Sequence, residues 1–181
     1  MNSREKQFEF KDQLMKHRYA FGGDLLKRKR NRTARPFSSK YSMHLILKSS
    51  RAVGRNSFGY GGHPRVVRSL IDRHCTKYGV KLIRYSNNFN HLHLHLKFAS
   101  RAVYLRFIRS LTGSLAMAVT GAKKMRPLAT RLGAAKFFDQ RPYMSVVTNY
   151  RQYRLTNDYI DKNQRESVGI WSPTLATGSS G

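Results

Sequence analysis

The chain has 181 residues, 40% of them hydrophobic, enough for one domain with a full apolar core, and its 35 Lys and Arg against 9 Asp and Glu leave a formal charge of +26. Such a field attracts polyanions at long range, which makes nucleic acid the leading partner. A membrane partner is not expected, because there is no apolar run of about 18 residues and no signal-peptide core near Met1, and the expectation is a soluble cytoplasmic chain, nucleoid-associated if bacterial. The lone Cys75 excludes an internal disulfide, and with only Asp72 and Asp139 as carboxylates between Lys40 and Asn157 a two-metal nuclease built on acids lacks its ligands. Any metal site must lean on histidine and amide donors.

In chain order, residues 1–39 read as a basic extension containing Lys27, Arg28, Lys29, Arg30 and Arg32, closed by Arg35 and Pro36. That run is either a solvated tail or a set of phosphate contacts, which would position DNA without reading bases. Residues 41–48 predict a strand, and residues 49–62, rich in Gly, Arg and Ser, a loop. The histidine in that strand, His44, reads as structural. A helix is expected over 63–78, with Pro64 in its first turn, a core stripe of Val67, Leu70, Ile71, His74 and Tyr78, and Gly79 as its stop. His74 is expected at the rim of that stripe. Residues 81–87 and 92–99 predict two antiparallel strands joined by the turn Asn87, Asn88, Phe89, Asn90.

The hairpin carries the most informative pattern of the chain. His91, His93 and His95 alternate with Leu92, Leu94 and Leu96, and on a strand that alternation sends the imidazoles to one face and the leucines to the other. Clustered imidazoles are candidate metal ligands. Downstream, Tyr104, Phe107, Ile108, Leu111 and Leu115 mark a second amphipathic helix over 101–119. A basic loop at 123–131, a strand at 143–148, a helix at 150–165 and a disordered tail from Ser172 complete the reading. The order strand, helix, strand, strand, helix, strand predicts an α+β fold, a ferredoxin-like antiparallel sheet with helices packed on it, spanning 40–169 with its added C-terminal helix. On that last helix Tyr159 and Asn163 lie four residues apart, so both side chains leave the same face.

The segment Asn90-His91-Leu92-His93-Leu94, followed by a helix, a strand and then Tyr159-Ile160-Asp161-Lys162-Asn163, resembles the single-tyrosine HUH transposases, in particular the REP-associated tyrosine transposase branch. The resemblance spans most of residues 35–169. It implies Mg²⁺ or Mn²⁺ held by His91, His93 and Asn163, with Tyr159 as the catalytic nucleophile carried on the C-terminal helix. It further implies single-stranded, hairpin-forming DNA as substrate, a 5′-phosphotyrosine intermediate and a released 3′-hydroxyl. Relatives include monomers and tyrosine-exchanging homodimers, and the REP-associated branch points to a monomer. Phe89 departs from the family's usual Met-Pro pair, Gln164 from the proline that often follows the amide, and His95 stands where an apolar residue is common. His95 is therefore an extra ligand, a structural residue, or the partner of His93 in an alternative metal pair. Two other readings compete: a catalytically inactive or domesticated nucleic-acid-binding protein on the same fold, and a metal-dependent phosphodiesterase with water as nucleophile.

Overall fold

The protein is described by a computed structural model over residues 20–22, 35–122 and 136–170. The basic run Lys27, Arg28, Lys29, Arg30 and Arg32, the loop expected at 123–131 and the tail from 172 lie outside the described residues. Strands β1 (Ala20–Phe21), β2 (Ser42–Lys48), β3 (Lys81–Asn88), β4 (His91–Lys97) and β5 (Tyr143–Val147) form one antiparallel sheet in the order β1-β5-β2-β4-β3. Helices α1 (His63–Tyr78), α2 (Arg101–Thr120) and α3 (Tyr150–Ile170) pack on it. Without β1, this is the ferredoxin-like order that the sequence predicts. Residues 20–21, read from sequence within the extension, add an edge strand beside β5, and Gly22 ends it at φ 100, where a Cβ would collide with the carbonyl of Pro142.

The two faces of the sheet differ in chemistry because strand side chains alternate. On one face Met43, Leu45, Leu47, Leu92, Leu94 and Leu96 are buried against Val67 and Ile71 of α1 and Phe107, Leu111 and Leu115 of α2. Helix α1 closes as expected at Gly79, whose φ of 62 lets its N–H reach the carbonyls of Cys75 and Thr76. Expected at the rim, His74 is instead buried between the two helices: its Nδ1–H donates to Leu70 O at 2.7 Å and its Nε2 meets Ser110 Oγ at 3.1 Å. A polar ring at that position is retained because α2 offers serines opposite it.

The other face is polar, and α3 covers it. Asn149 caps this helix by accepting from Gln152 N at 2.9 Å, while Gln152 Oε1 accepts from Thr148 N at 2.9 Å, a reciprocal lock of the capping-box kind. The residues α3 buries are Thr156, Asn157, Ile160, Asn163 and Ser167, only one of which is apolar. Polar contacts therefore hold the helix down. Gln164 Oε1 accepts from Asn87 N at 3.0 Å, Asn88 Nδ2 donates to Asn163 O at 3.2 Å, and Arg84 pairs with Asp161 at 3.3 Å.

Two consequences are measurable. Truncating Leu94→Ala at the fully buried centre of the apolar face is expected to cost about 2–5 kcal/mol, read as a lower denaturant midpoint. Hydrogen exchange should show the amides of α3 opening at a lower free energy than those of α1 and α2, because apolar burial supports the latter two and little of it supports α3. Equal protection across all three helices would contradict this.

Candidate metal and nucleophile site

The pairing register gathers the site. His95 stands opposite His44, His93 opposite Ile46 and His91 opposite Lys48 on one flank of β4, with Arg84, Ser86 and Asn88 of β3 opposite His95, His93 and His91 on the other. Tyr143 and Ser145 of β5 continue the same face. Exposure grades along the strand: His91 is half-buried at the hairpin end, whereas His93 is 1% and His95 0% exposed. The open end of the face is therefore the turn at Phe89 and Asn90.

That turn is held from outside. Phe89 has a left-handed φ of 61, where glycine or asparagine is the ordinary choice, and its carbonyl accepts from Phe58 N at 2.8 Å and Ser57 Oγ at 3.1 Å. Its ring fills the space over Gly59 that any Cβ there would need. Phe89 is thus held in this conformation by the loop before α1.

Each β4 histidine has a distinct set of partners. His91 Nδ1–H donates to Asn90 Oδ1 at 2.7 Å. His93 Nδ1 lies 3.1 Å from His44 Nε2, with the two rings end to end and nearly coplanar, their centroids 5.3 Å apart at 18°, and His93 Nε2 is buried with no hydrogen-bond partner among the described residues. His95 is satisfied on both sides: its Nδ1–H donates to Asn157 Oδ1 at 2.7 Å, and Ser42 Oγ donates to its Nε2 at 2.7 Å. Sequence reading treats His44 as structural and does not single out Ser42, Asn88, Tyr143 or Asn157. The signal for the first two was present, since Ser42 and His44 alternate with Met43 and Leu45 as the histidines of β4 do with leucines.

Tyr159 reaches over this row from α3. Its ring sits edge-on to His93 at 5.3 Å and to His44 at 6.3 Å between centroids. Of the other tyrosines on the helix, Tyr153 lies against His95 at 5.0 Å, and Tyr150 points into solvent at 74% exposure. One turn after Tyr159, Asn163 Nδ2 donates to the Tyr159 carbonyl at 2.7 Å, and its Oδ1 has only a long contact, 3.4 Å, from Asn88 Nδ2. Among the described residues no three His, Cys, Asp or Glu side chains are placed to hold a metal together, so a cation here would take an amide as its third donor.

Burial sets the protonation of the imidazoles. It pushes His44 down to about 3, aided by His95, and His91 down to about 4, aided by the Lys48 ammonium across the strand pair. His93 is held well below the ordinary histidine value by burial and then by His44 and His91, and His95 is lowered by burial. All four rings are neutral at pH 7, the state in which a ring nitrogen can bind a cation. The phenol of Tyr143 is raised by burial, with a smaller contribution from Tyr159 nearby. Away from the histidines, an open groove of about 800 Å³ between α1 and β3 is lined by Arg65, Arg68, Arg73 and Tyr85 and reaches α3 at Gln164.

Residues 37–163 match the family described as IS200-like transposases, a span that begins before β2, ends at Asn163 and takes in each candidate residue of the site. Among solved structures, a REP-associated tyrosine transposase bound to a REP hairpin superposes with a TM-score of 0.54 at 13% identity, covering 75% of this chain and 73% of that one. A protein of Deinococcus radiodurans described as a candidate transposase gives a TM-score of 0.47 at 16% identity, covering 74% and 98%. None of the curated proteins matches. At these identities the structures establish the shared fold, while the family match covers more than half of the sequence, and the chain belongs to the IS200-like transposases, a family of DNA-cleaving and DNA-rejoining enzymes.

Proposed function

We propose that the protein is a metal-dependent single-stranded DNA endonuclease and strand transferase that uses Tyr159 as nucleophile. The observation that carries this reading is the edge-on placement of Tyr159 over His93, beside His91, within one chain. The phenolic oxygen of Tyr159 bonds to the scissile phosphorus, and the bond from phosphorus to the 3′ oxygen breaks. A 5′-phosphotyrosine link forms, the phenol gives up its proton and the departing 3′ oxygen gains one. The covalent link conserves the phosphodiester for rejoining, so no high-energy cofactor is required.

The donor set fits a divalent cation. His91 and His93 are neutral, His93 Nε2 is buried without a partner, and Asn163 Oδ1 is nearly uncommitted. Mg²⁺ or Mn²⁺ held by His91, His93 and Asn163 would polarise the scissile phosphate. His95, hydrogen-bonded through both nitrogens, acts instead as an anchor between β2 and α3. The competing pair of His93 and His95 would have to break the Ser42 bond. Tyrosine and histidines meet in one chain, which supports a monomer cleaving in cis, with the homodimer as alternative.

The DNA partner follows from charge and from the family. The neighbour bound to a REP hairpin supports a hairpin-forming single strand as substrate for this chain as well. Phosphate contacts are assigned to Lys48 beside His91, to Arg65 and Arg73 in the α1/β3 groove, and to the basic extension with Arg35.

The test is a denaturing gel of the protein with labelled hairpin-forming single strands and Mg²⁺ or Mn²⁺. A denaturant-resistant protein–DNA adduct is expected, abolished in Tyr159→Phe and reduced roughly 100-fold or more in His93→Ala. Cleavage retained by Tyr159→Phe would identify water as the nucleophile, and tight binding with no adduct on a broad hairpin pool would favour a binding protein that lost the reaction.

Acid sensitivity follows from the same histidines. The folded values of His44, His91 and His93 lie below the unfolded value near 6.5, so the unfolded chain takes up protons first as pH falls. Their contribution to stability is complete above about pH 6.5 and is lost progressively toward the lowered values. Denaturation at a series of pH values should show roughly two to three protons taken up per molecule unfolded near pH 5. A flat profile between pH 7 and 5 would contradict the neutral, buried assignment.

A further inference from the structure

His44 is the one histidine of the site that lies off β4, and nothing in the proposed chemistry uses it. It is 1% exposed on β2, at the centre of the sheet, with its ring end to end with that of His93 and nearly coplanar. We infer that His44 is a positioning residue that accepts a hydrogen bond from His93 Nδ1–H and so fixes the tautomer in which His93 Nε2 presents its lone pair to a divalent cation. The inference rests on the proposed metal role of His93 and adds to it the group that orients that ligand.

The argument starts from valence. A neutral imidazole carries one N–H and one lone pair, so a bond at one ring nitrogen decides the chemistry of the other. Along β4 the Nδ1 atoms all have partners: Asn90 Oδ1 for His91, His44 Nε2 for His93 and Asn157 Oδ1 for His95. An amide oxygen only accepts, so His91 and His95 carry their proton on Nδ1 and their lone pair on Nε2. For His95 that lone pair is consumed by the Ser42 hydroxyl. For His91 it is available at the open end of the face.

His93 lies between them, and its partner can either donate or accept. If His44 donated, His93 would carry its proton on Nε2 and could not bind a cation there. If His44 accepts, His93 adopts the same tautomer as both neighbours, and the two Nε2 lone pairs of His91 and His93 serve one ion. Either arrangement leaves one buried N–H without a partner among the described residues, at His44 Nδ1 or at His93 Nε2, and only the accepting one leaves the lone pair of His93 Nε2 open to a cation. Outer partners of this kind orient metal-binding histidines generally, and the nearly coplanar, end-to-end placement of the two rings, 3.1 Å apart between nitrogens, suits such a bond.

The test reads the tautomer directly. Imidazole nitrogen NMR on the metal-free protein is expected to show His93 protonated at Nδ1 and bare at Nε2. In His44→Phe, which keeps a ring but removes the acceptor, His93 should shift toward the Nε2–H form, and Mn²⁺ affinity measured by electron paramagnetic resonance should fall about 10–100-fold. His44→Gln, whose side-chain oxygen can accept, should recover most of that affinity. A wild-type His93 protonated at Nε2 would overturn the inference, as would unchanged Mn²⁺ affinity in a folded His44→Phe. The wild-type spectrum is decisive even if a variant fails to fold. Adduct formation separates this inference from the reading beneath it: the expected tautomer and Mn²⁺ binding without any DNA adduct would refute strand transfer and leave the role of His44 standing. DNA adducts with an unaltered metal dependence in His44→Phe would do the reverse.

Discussion

The alternation of leucine and histidine along β4 divides the molecule into two kinds of interior. A strand at the middle of a sheet must bury both faces, and here one buries only hydrocarbon and the other only imidazole. The leucine face recruits α1 and α2 by the hydrophobic effect and supplies most of the driving force for folding. The histidine face cannot be covered in that way. Its polar atoms require partners, and α3 provides them with Asn157, Asn163 and the edge of Tyr159.

This division couples stability to chemistry. The helix bearing the candidate nucleophile is attached through an asparagine to His95, a glutamine to the β3 backbone and one half-exposed ion pair. These contacts are directional and individually modest, so they fix where Tyr159 sits without the bulk that an apolar interface would bring. A cluster of neutral imidazoles is the other consequence. Burial keeps them uncharged, which a chain of net charge +26 would favour in any case, and uncharged rings are the ones with lone pairs to offer.

The scarcity of carboxylates points the same way. A strongly basic chain draws in DNA, and with so few carboxylates any cation at the site must be held by neutral donors. Imidazole and amide groups are such donors, and the proposed tyrosine nucleophile would remove the need for a second ion to activate water. The chain thus combines a strongly positive charge with a site of neutral imidazoles over which the ring of Tyr159 lies.

Much of this was legible in the linear chain because strands and helices write their faces at fixed periods. The period-two pattern at 91–96, the stripe from Tyr104 to Leu115, Gly79 as a stop and the four-residue spacing of Tyr159 and Asn163 required no tertiary information, and with them came the α+β order and the family resemblance. Periodicity states which residues share a face of one element, and it is silent on which face meets which. Only the folded chain decided that α3 covers the histidine face opposite the other two helices, that Ala20 and Phe21 extend the sheet, and that His74 lies between helices rather than at a rim. The same holds for His44 and His95. One meets His93 nitrogen to nitrogen from 49 positions away in sequence and the other is tied off by Ser42 and Asn157, pairings set by strand register and helix docking, which depend on the packing of the whole domain.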